Sequence, residues 1–513
     1  MRLRTIIPLL AIAFGLTACY RDYSSEATTL IPDLIVTGLP GSLDVVYGDE
    51  LTLTVTPYMG TKSPEDFTYQ WEVDLSAKKI KDRVEVGDTQ TLHYRVTNAP
   101  SSSPYLLSVR VTDKETGLQI MSSCYLNVSS SLGEGLLVGY TKPDGTSDVD
   151  IIASKELTWG YSAQAPRVSR GIYSLANGSP VPERINCLLQ TVDTDGAVYN
   201  SHRILMGTPS HVTAIDPLSF ETRETDSQLF TSTTMQEYGS TLMFNAAGVV
   251  SFMLVGEDCY AHICSIDNVY AKLNNASDTP LRFNTHNMAW ASLDQGITAV
   301  YNEGDGVYGV RLLSIMGGGF SKLDNSALGF PATGSASLFG GCLSGMRPAF
   351  LVKDAAGEYH IVIVRGTNDK DLASSVPLTG ENLDQAVAGC FCDNGDLMYY
   401  ATSRTIYATV ISGNTTSVRK LSWQPDSSSE RITGIRQYTQ AWYGTGQTSP
   451  SDYGFVLPTH RAMLIITTHN DATGEGKVYL RGFNVTTGLF TMNGNYGSFG
   501  GFGEITAIAP TIR

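Results

Sequence analysis

From Gly135 to Phe483 the sequence repeats one local pattern, and that repetition limits the possible folds more than any other feature. A short apolar run, a turn rich in Gly, Asp or Asn, and a second apolar run recur seven times. The pairs are Gly135–Tyr140 with Asp148–Ile152, Asn186–Gln190 with Arg203–Met206, Ser251–Val255 with Ala261–Cys264, Ile297–Tyr301 with Val307–Leu312, Pro348–Val352 with Tyr359–Val364, Leu397–Tyr400 with Ile406–Val410, and Ala462–Thr467 with Lys477–Phe483. Each reads as a β-hairpin, since apolar runs bounded by Gly and Asx turns favour strands. A hairpin alone cannot bury its faces, and repetition at roughly 50 residues lets neighbours do so. The expected fold over residues 130–513 is therefore a β-propeller of seven or eight blades, with a many-stranded two-sheet sandwich as the alternative. The last apolar run, Gly503–Ala509, is placed to pair with the first blade and remove an exposed sheet edge.

Composition agrees with an all-β chain. There are 50 Gly and 26 Tyr in 513 residues, and charged residues make up only 17%, a texture of turns and strands more than of helices. The length exceeds what one hydrophobic core usually serves, so at least two domains are expected. A net charge of -15 argues against nucleic acid as a partner, because phosphate backbones select Lys and Arg clusters.

Residues 31–129 differ from the repeats. Leu34–Val36, Leu51–Val55, Phe67–Val73, Thr91–Val96, Leu106–Val111 and Cys124–Val128 are six strand-like runs, most of them alternating apolar with polar. They predict an antiparallel immunoglobulin-like sandwich. Trp71 on the third run is the expected core residue, and no cysteine pair brackets it. Val109-Arg110-Val111-Thr112-Asp113, running into an Asp/Gly turn at Gly117, resembles the corresponding stretch of PKD-like domains. Ser129-Ser130-Ser131 marks the boundary to the repeats.

The N-terminus carries an address. Arg2 and Arg4 precede an apolar stretch from Ile6 to Leu16, followed by Thr17-Ala18-Cys19. This is the pattern of a lipoprotein signal peptide, 1–18, cleaved ahead of a cysteine that takes palmitate-type acyl chains. The apolar stretch is too short for a permanent membrane span, so lipid at Cys19 is the expected membrane attachment, with 19–30 as a polar tether.

Motifs for chemistry are sparse. The chain has no Gly-x-Ser-x-Gly elbow, no His-Glu-x-x-His and no phosphate-binding Gly-x-x-x-x-Gly-Lys, so no catalytic residue is assigned. Asp193-Thr194-Asp195-Gly196 begins like a calcium loop but lacks the later acidic ligand, and reads as a hairpin turn. Cys259, His262, Cys264, Cys390 and Cys392 fit no zinc spacing, and the cysteines beyond Cys19 are expected to be buried thiols. No metal or cofactor is expected. Of the eight histidines, His286, His460 and His469 lie near loops where they could face a channel. Aromatic residues on long polar loops are the better sign of binding. Trp442 and Tyr443, in the stretch from Arg436 to Tyr453, and Tyr496, in Asn493–Phe502, are the candidate ligand contacts.

Lipobox, tether, PKD-like sandwich and repeat region, in that order, are similar to the PKD-like family of surface lipoproteins of Bacteroidetes, with Gly133–Val138 resembling the start of that family's second domain. The resemblance implies an outer-membrane protein at the cell surface, accessory to a TonB-dependent SusC/SusD-like importer, that binds glycan or peptide or docks on the transporter. It assigns no catalytic residues. After Cys19 the acidic residues are Asp22 and Glu26 rather than a run. A hydrolase or lyase acting on the same nutrient is the alternative.

Overall fold

The computed structural model describes residues 32–511, apart from 77–78, 99–102, 130–133, 160, 162, 164, 196–197, 232–240, 247–249, 256–257, 264–268, 274–279, 282–287, 290–296, 312–318, 367–370 and 442–455. Cys19 and the leader lie outside the described residues. The chain divides into two compact units between Ser129 and Ser130.

The N-terminal unit has a five-stranded sheet in the order Ser42–Val46, Gln119–Ser129, Tyr105–Asp113, Phe67–Ser76, Lys79–Gly87. Two smaller sheets accompany it, Glu50–Thr54 with Thr91–Arg95 and Ile35–Thr37 with Thr56–Tyr58. Alternation places Tyr105, Leu107, Val109 and Val111 inward, against Val73, Leu126 and the fully buried Trp71. The Trp71 indole N–H donates to the Thr89 carbonyl at 2.8 Å, which satisfies the ring's one polar atom. Two features depart from the expected antiparallel sandwich of six runs. Ser42–Val46 pairs parallel to Gln119–Ser129, a pairing of distant segments that no hairpin dictates. Lys79–Gly87 is a charged edge strand, and its polar sequence hides it.

Asp113 closes the Val-x-Val-x-Asp run with a definite job. It is fully buried and accepts bonds from Lys62 Nζ at 2.6 Å and from the Thr116 amide at 2.9 Å. The turn that follows needs Gly117, whose φ of 70° is left-handed.

Among the described residues the second unit forms seven sheets, each an antiparallel meander with four main strands. Blade 1 comprises Gly135–Thr141, Ser147–Ala153 and Arg167–Ser169 with the C-terminal Glu504–Thr511 as its innermost strand. Blade 2 is Cys187–Asp195, Val198–Gly207, Val212–Ile215 and Thr222–Thr225; blade 3 is Thr241–Ala246, Val250–Val255, Asp258–Ile263 and Ala271–Lys272. Blade 4 is Met288–Ala289, Ile297–Asn302, Gly306–Arg311 and Ser321–Lys322; blade 5 is Ala336–Leu343, Arg347–Lys353, Tyr359–Gly366 and Asp371–Leu378. Blade 5 gains a fifth strand, Asp324–Ala327, which pairs parallel to its outer edge. Blade 6 is Ala388–Cys392, Leu397–Ala401, Ile406–Ser412 and Thr415–Lys420; blade 7 is Glu430–Gln437, Met463–Asn470, Glu475–Phe483 and Phe490–Phe502.

Each of the seven expected hairpins forms, and each lies in a different sheet. The first strands of successive blades adjoin, from Glu504–Thr511 to blades 2 and 3 and from blade 4 through blade 7. This is the β-propeller-like arrangement, in which innermost strands surround a central channel. Apolar cores fill the gaps between blades, for example Tyr400, Tyr407 and Phe391 between blades 5 and 6 and Tyr438, Leu480 and Phe502 between blades 7 and 1.

The Glu504–Thr511 strand closes the ring as expected, pairing along Gly135–Thr141. A polar clamp reinforces it. Buried Asp150 accepts Arg170 Nη1 at 2.7 Å and the Gly171 amide at 2.7 Å, and Arg170 Nη2 reaches the Gly500 carbonyl at 2.5 Å with its guanidinium 4.5 Å over Phe502. Burial raises the Asp150 pKa and the bonds from Gly171 and Arg170 oppose it.

Candidate functional site

In a four-stranded meander, the hairpins joining first to second and third to fourth strands emerge on one face. On that face, between blades 5 and 6, lies a cleft of about 530 Å³ lined by Gly345, Arg347, Ile363, Arg365, Asp396, Ile411 and Gly413. Ile363 and Ile411 belong to the core between these blades and give the cleft an apolar side. Its charged side is built by turns. Ser344–Met346 joins the first two strands of blade 5 through Gly345, whose φ is 64°, and sets Ser344 against the hairpin of blade 6. Arg347 Nε donates to the Ser344 carbonyl at 2.8 Å, its Nη2 to Ser344 Oγ at 3.2 Å and to Asp396, while Ser344 Oγ donates to Asp396 Oδ1 at 2.5 Å. Asp396 is thus occupied by Arg347. Arg365, at the end of the third strand of blade 5, is exposed and has no carboxylate partner among the described residues.

The same face carries the stem of the long loop of blade 7. Asn394 Nδ2 and Gln437 Nε2 both donate to the Arg461 carbonyl, at 2.8 and 3.0 Å, and the Asp393 amide donates to Gln437 Oε1 at 3.0 Å. Arg461 has a left-handed φ of 58°, strained for a side-chain-bearing residue, and its Nε stands 3.1 Å from Asp393 Oδ2. Burial raises the Asp393 pKa, with Arg461 opposing. Higher in the stem, the Leu457 amide donates to Gln440 Oε1 at 3.0 Å and the Gln440 amide to His460 Nδ1 at 3.0 Å. The latter bond requires an unprotonated Nδ1, and burial lowers the His460 pKa to about 4.

Of the three sequence candidates, Trp442 and Tyr443 fall in 442–455, outside the described residues. Tyr496 lies on the outer strand of blade 7, half-buried against the core between blades 7 and 1, with its hydroxyl beside Gly482. Of the loop histidines, His460 is in the stem, His469 lies 3.9 Å from Asp471, and His286 is outside the described residues. Asp193–Asp195 ends the first strand of blade 2, where Asp195 pairs with Val198, and Gly196 lies outside the described residues.

Sequence reasoning missed two polar groupings. On the opposite face, buried Glu430 accepts bonds from Tyr479 Oη at 2.7 Å and from Thr468, and Lys477 Nζ is 3.6 Å away; Tyr479 Oη also lies 2.9 Å from Asp426. Burial and these carboxylates raise the Tyr479 pKa, so its hydroxyl keeps its proton. In blade 3, Ser251 Oγ sits 3.4 Å from His262 Nδ1 and 2.5 Å from Tyr270 Oη. All three are buried, which denies a substrate access to the serine. No sequence spacing signals either group. Among the described residues, six cysteines are free thiols and no cluster of three or more His, Cys, Asp and Glu could hold a metal ion. Nor is any helix among them long and apolar enough to cross a membrane.

Fold and site define an all-β, propeller-like protein with an N-terminal β-sheet unit and a charged cleft between two blades. No family model and no curated protein matches the chain. Among solved structures it is similar to a quinonprotein alcohol dehydrogenase-like protein from Bacteroides thetaiotaomicron VPI-5482, at 12% identity and a TM-score of 0.47, covering 93% of this chain and 100% of that one. It is also similar to apo AztD from Citrobacter koseri, at 10% identity and a TM-score of 0.38 over 86% of this chain and 98% of that one. A third is a putative 6-phosphogluconolactonase from Bacteroides uniformis ATCC 8492, at 10% identity and a TM-score of 0.31 over 86% and 99%.

Proposed function

We propose that this protein is a lipid-anchored, non-enzymatic accessory of an outer-membrane SusC/SusD-like importer, attached through Cys19, and that its propeller-like unit binds a glycan or peptide or docks on the transporter. The observation that carries the binding reading is the blade 5/6 cleft. It is concave, apolar on one side, and offers the exposed Arg365 guanidinium, which has no carboxylate partner among the described residues, beside the fixed Arg347–Asp396 pair. A few convergent polar groups on an apolar wall suit recognition of a polar ligand. The PKD-like resemblance and the lipobox support the address and the partner.

The test is purification from native membranes by a tag on the C-terminus. Recovery with a TonB-dependent transporter and its lipoprotein lid supports the proposal; recovery as a free monomer under the same mild extraction overturns the docking part. Growth of a deletion strain on defined glycan and peptide sources then identifies the nutrient. The hydrolase or lyase alternative draws on one arrangement, Asp426 and Glu430 sharing the Tyr479 hydroxyl. Turnover of oligosaccharide or peptide by purified protein, abolished in Asp426→Asn, the exposed carboxylate of the pair, would establish it.

A further inference from the structure

Two arginines meet where the core between blades 5 and 6 ends at the cleft. Ala349 pairs with Ile363 across the middle hairpin of blade 5, and the same register carried to the strand ends sets Arg347 opposite Arg365. Alternation puts all four residues on one face, the face whose Ala349, Leu351, Ile361 and Ile363 belong to the core shared with blade 6. The apolar stripe therefore runs into two guanidiniums, and both line the cleft of about 530 Å³.

Like charges directly opposite one another on a sheet repel, and among the lining residues only Asp396 answers them. Asp396 is already bonded by Arg347 and by Ser344 Oγ. One positive charge is thus left over at the cleft, in a chain whose net charge is -15. Arg347 is also fixed in place. Its Nε and Nη2 donate to the Ser344 carbonyl, Ser344 Oγ and Asp396, which leaves Nη1 with no acceptor among the described residues. A fork held this way has little rotamer freedom left to lose when a ligand binds.

The rest of the lining narrows the ligand. Ile363 and Ile411 form an aliphatic wall, and a side chain placed at Gly345 or Gly413 would meet only open space. None of the lining residues is aromatic or carries an amide, and the one acceptor side chain, Asp396, is engaged. A sugar ring would find few partners for its hydroxyls. An oxyanion joined to an aliphatic group matches both sides, because a carboxylate has the two coplanar oxygens that guanidinium forks accept. The C-terminal end of a peptide has this form.

We propose that the blade 5/6 cleft binds the C-terminal carboxylate of a peptide whose last side chain is aliphatic, with Arg365 and Arg347 holding the carboxylate and Ile363 and Ile411 the side chain. This rests on the reading of the cleft as the ligand site and selects peptide over glycan.

The experiment is isothermal titration calorimetry of the whole protein with three ligands: N-acetylated Ala-Ala-Leu as the free acid, the same peptide as its C-terminal amide, and a galacturonic acid oligomer. The wild type is expected to bind the acid, and the amide about tenfold or more weaker, since the loss is that of charge-assisted hydrogen bonds. Arg365→Gln loses affinity for the acid by a similar factor. Arg419→Gln binds as the wild type does, Arg419 being exposed on the outer strand of blade 6, opposite Ala408 and outside the cleft lining. Equal affinity for acid and amide, or acid binding unchanged in Arg365→Gln, overturns the proposal. The acid and amide are compared on the wild type, so a variant that does not fold leaves the question decided. Galacturonate bound in preference to peptide and lost in Arg365→Gln overturns the peptide assignment alone and keeps the cleft as the ligand site. Binding of none of the three overturns the proposal and the ligand-site reading together.

Discussion

Single residues here have separable roles because their partners are few and named. Trp71 fills the centre of the N-terminal core with no exposed surface, so Trp71→Ala is expected to destabilise that unit by about 3–5 kcal/mol in denaturant unfolding, the usual range for a buried aromatic. Asp113 titrates at about 2, held down chiefly by the Lys62 bond. Its folded pKa is below its unfolded value, so its contribution is present above about pH 4 and is lost as pH falls toward 2. Chemical-denaturation curves of the wild type should therefore weaken over that window by more than those of Asp113→Asn. His460 carries the same sign for a different reason. Its folded pKa, about 4, lies below the ordinary 6.5, so the unfolded chain binds the proton more readily and the neutral, bonded ring stabilises the stem at neutral pH. Hydrogen exchange at the Gln440 amide is expected to accelerate as pH drops from 6.5 to 4, after correction for intrinsic rates. His460→Ala should show fast exchange throughout.

At the scale of elements, legibility followed exposure. The middle hairpins of the blades are buried on both faces, so Ser251–Val255, Pro348–Val352 and Leu397–Ala401 read as largely apolar runs. Outer strands such as Thr222–Thr225, Ala271–Lys272 and Ser321–Lys322 are short, polar and largely exposed, and carry no alternation to detect. The fifth strand of blade 5 is equally silent, because Asp324–Ala327 pairs with Asp371–Leu378, a partner distant in sequence. Closure by Glu504–Thr511 could be anticipated from an apolar run at the chain's end; the Asp150–Arg170–Gly500 clamp could not, since its parts lie 20 to 330 residues apart. Removing 504–513 should expose the edge of Gly135–Thr141 and leave Leu136 and Val138 uncovered, seen as aggregation in light scattering at concentrations where the intact protein is monodisperse.

For the whole molecule, two units with separate cores are expected to melt separately. Calorimetry should resolve two transitions, with Trp71→Ala moving only that of the smaller unit and Arg170→Ala only that of the larger. The sequence by itself determined the all-β character, the seven hairpins and the Trp71 core, because strand periodicity and turn chemistry are local and each hairpin needs only neighbouring residues. It also holds the Leu16-Thr17-Ala18-Cys19 pattern, on which the proposed address rests. Tertiary structure alone decided how many sheets the hairpins build, which strand closes the ring, and where Arg347 meets Asp396 and Asp393 meets Arg461. Those groups come from different blades, and their meeting depends on how sheets pack around an axis, which no spacing along the chain encodes.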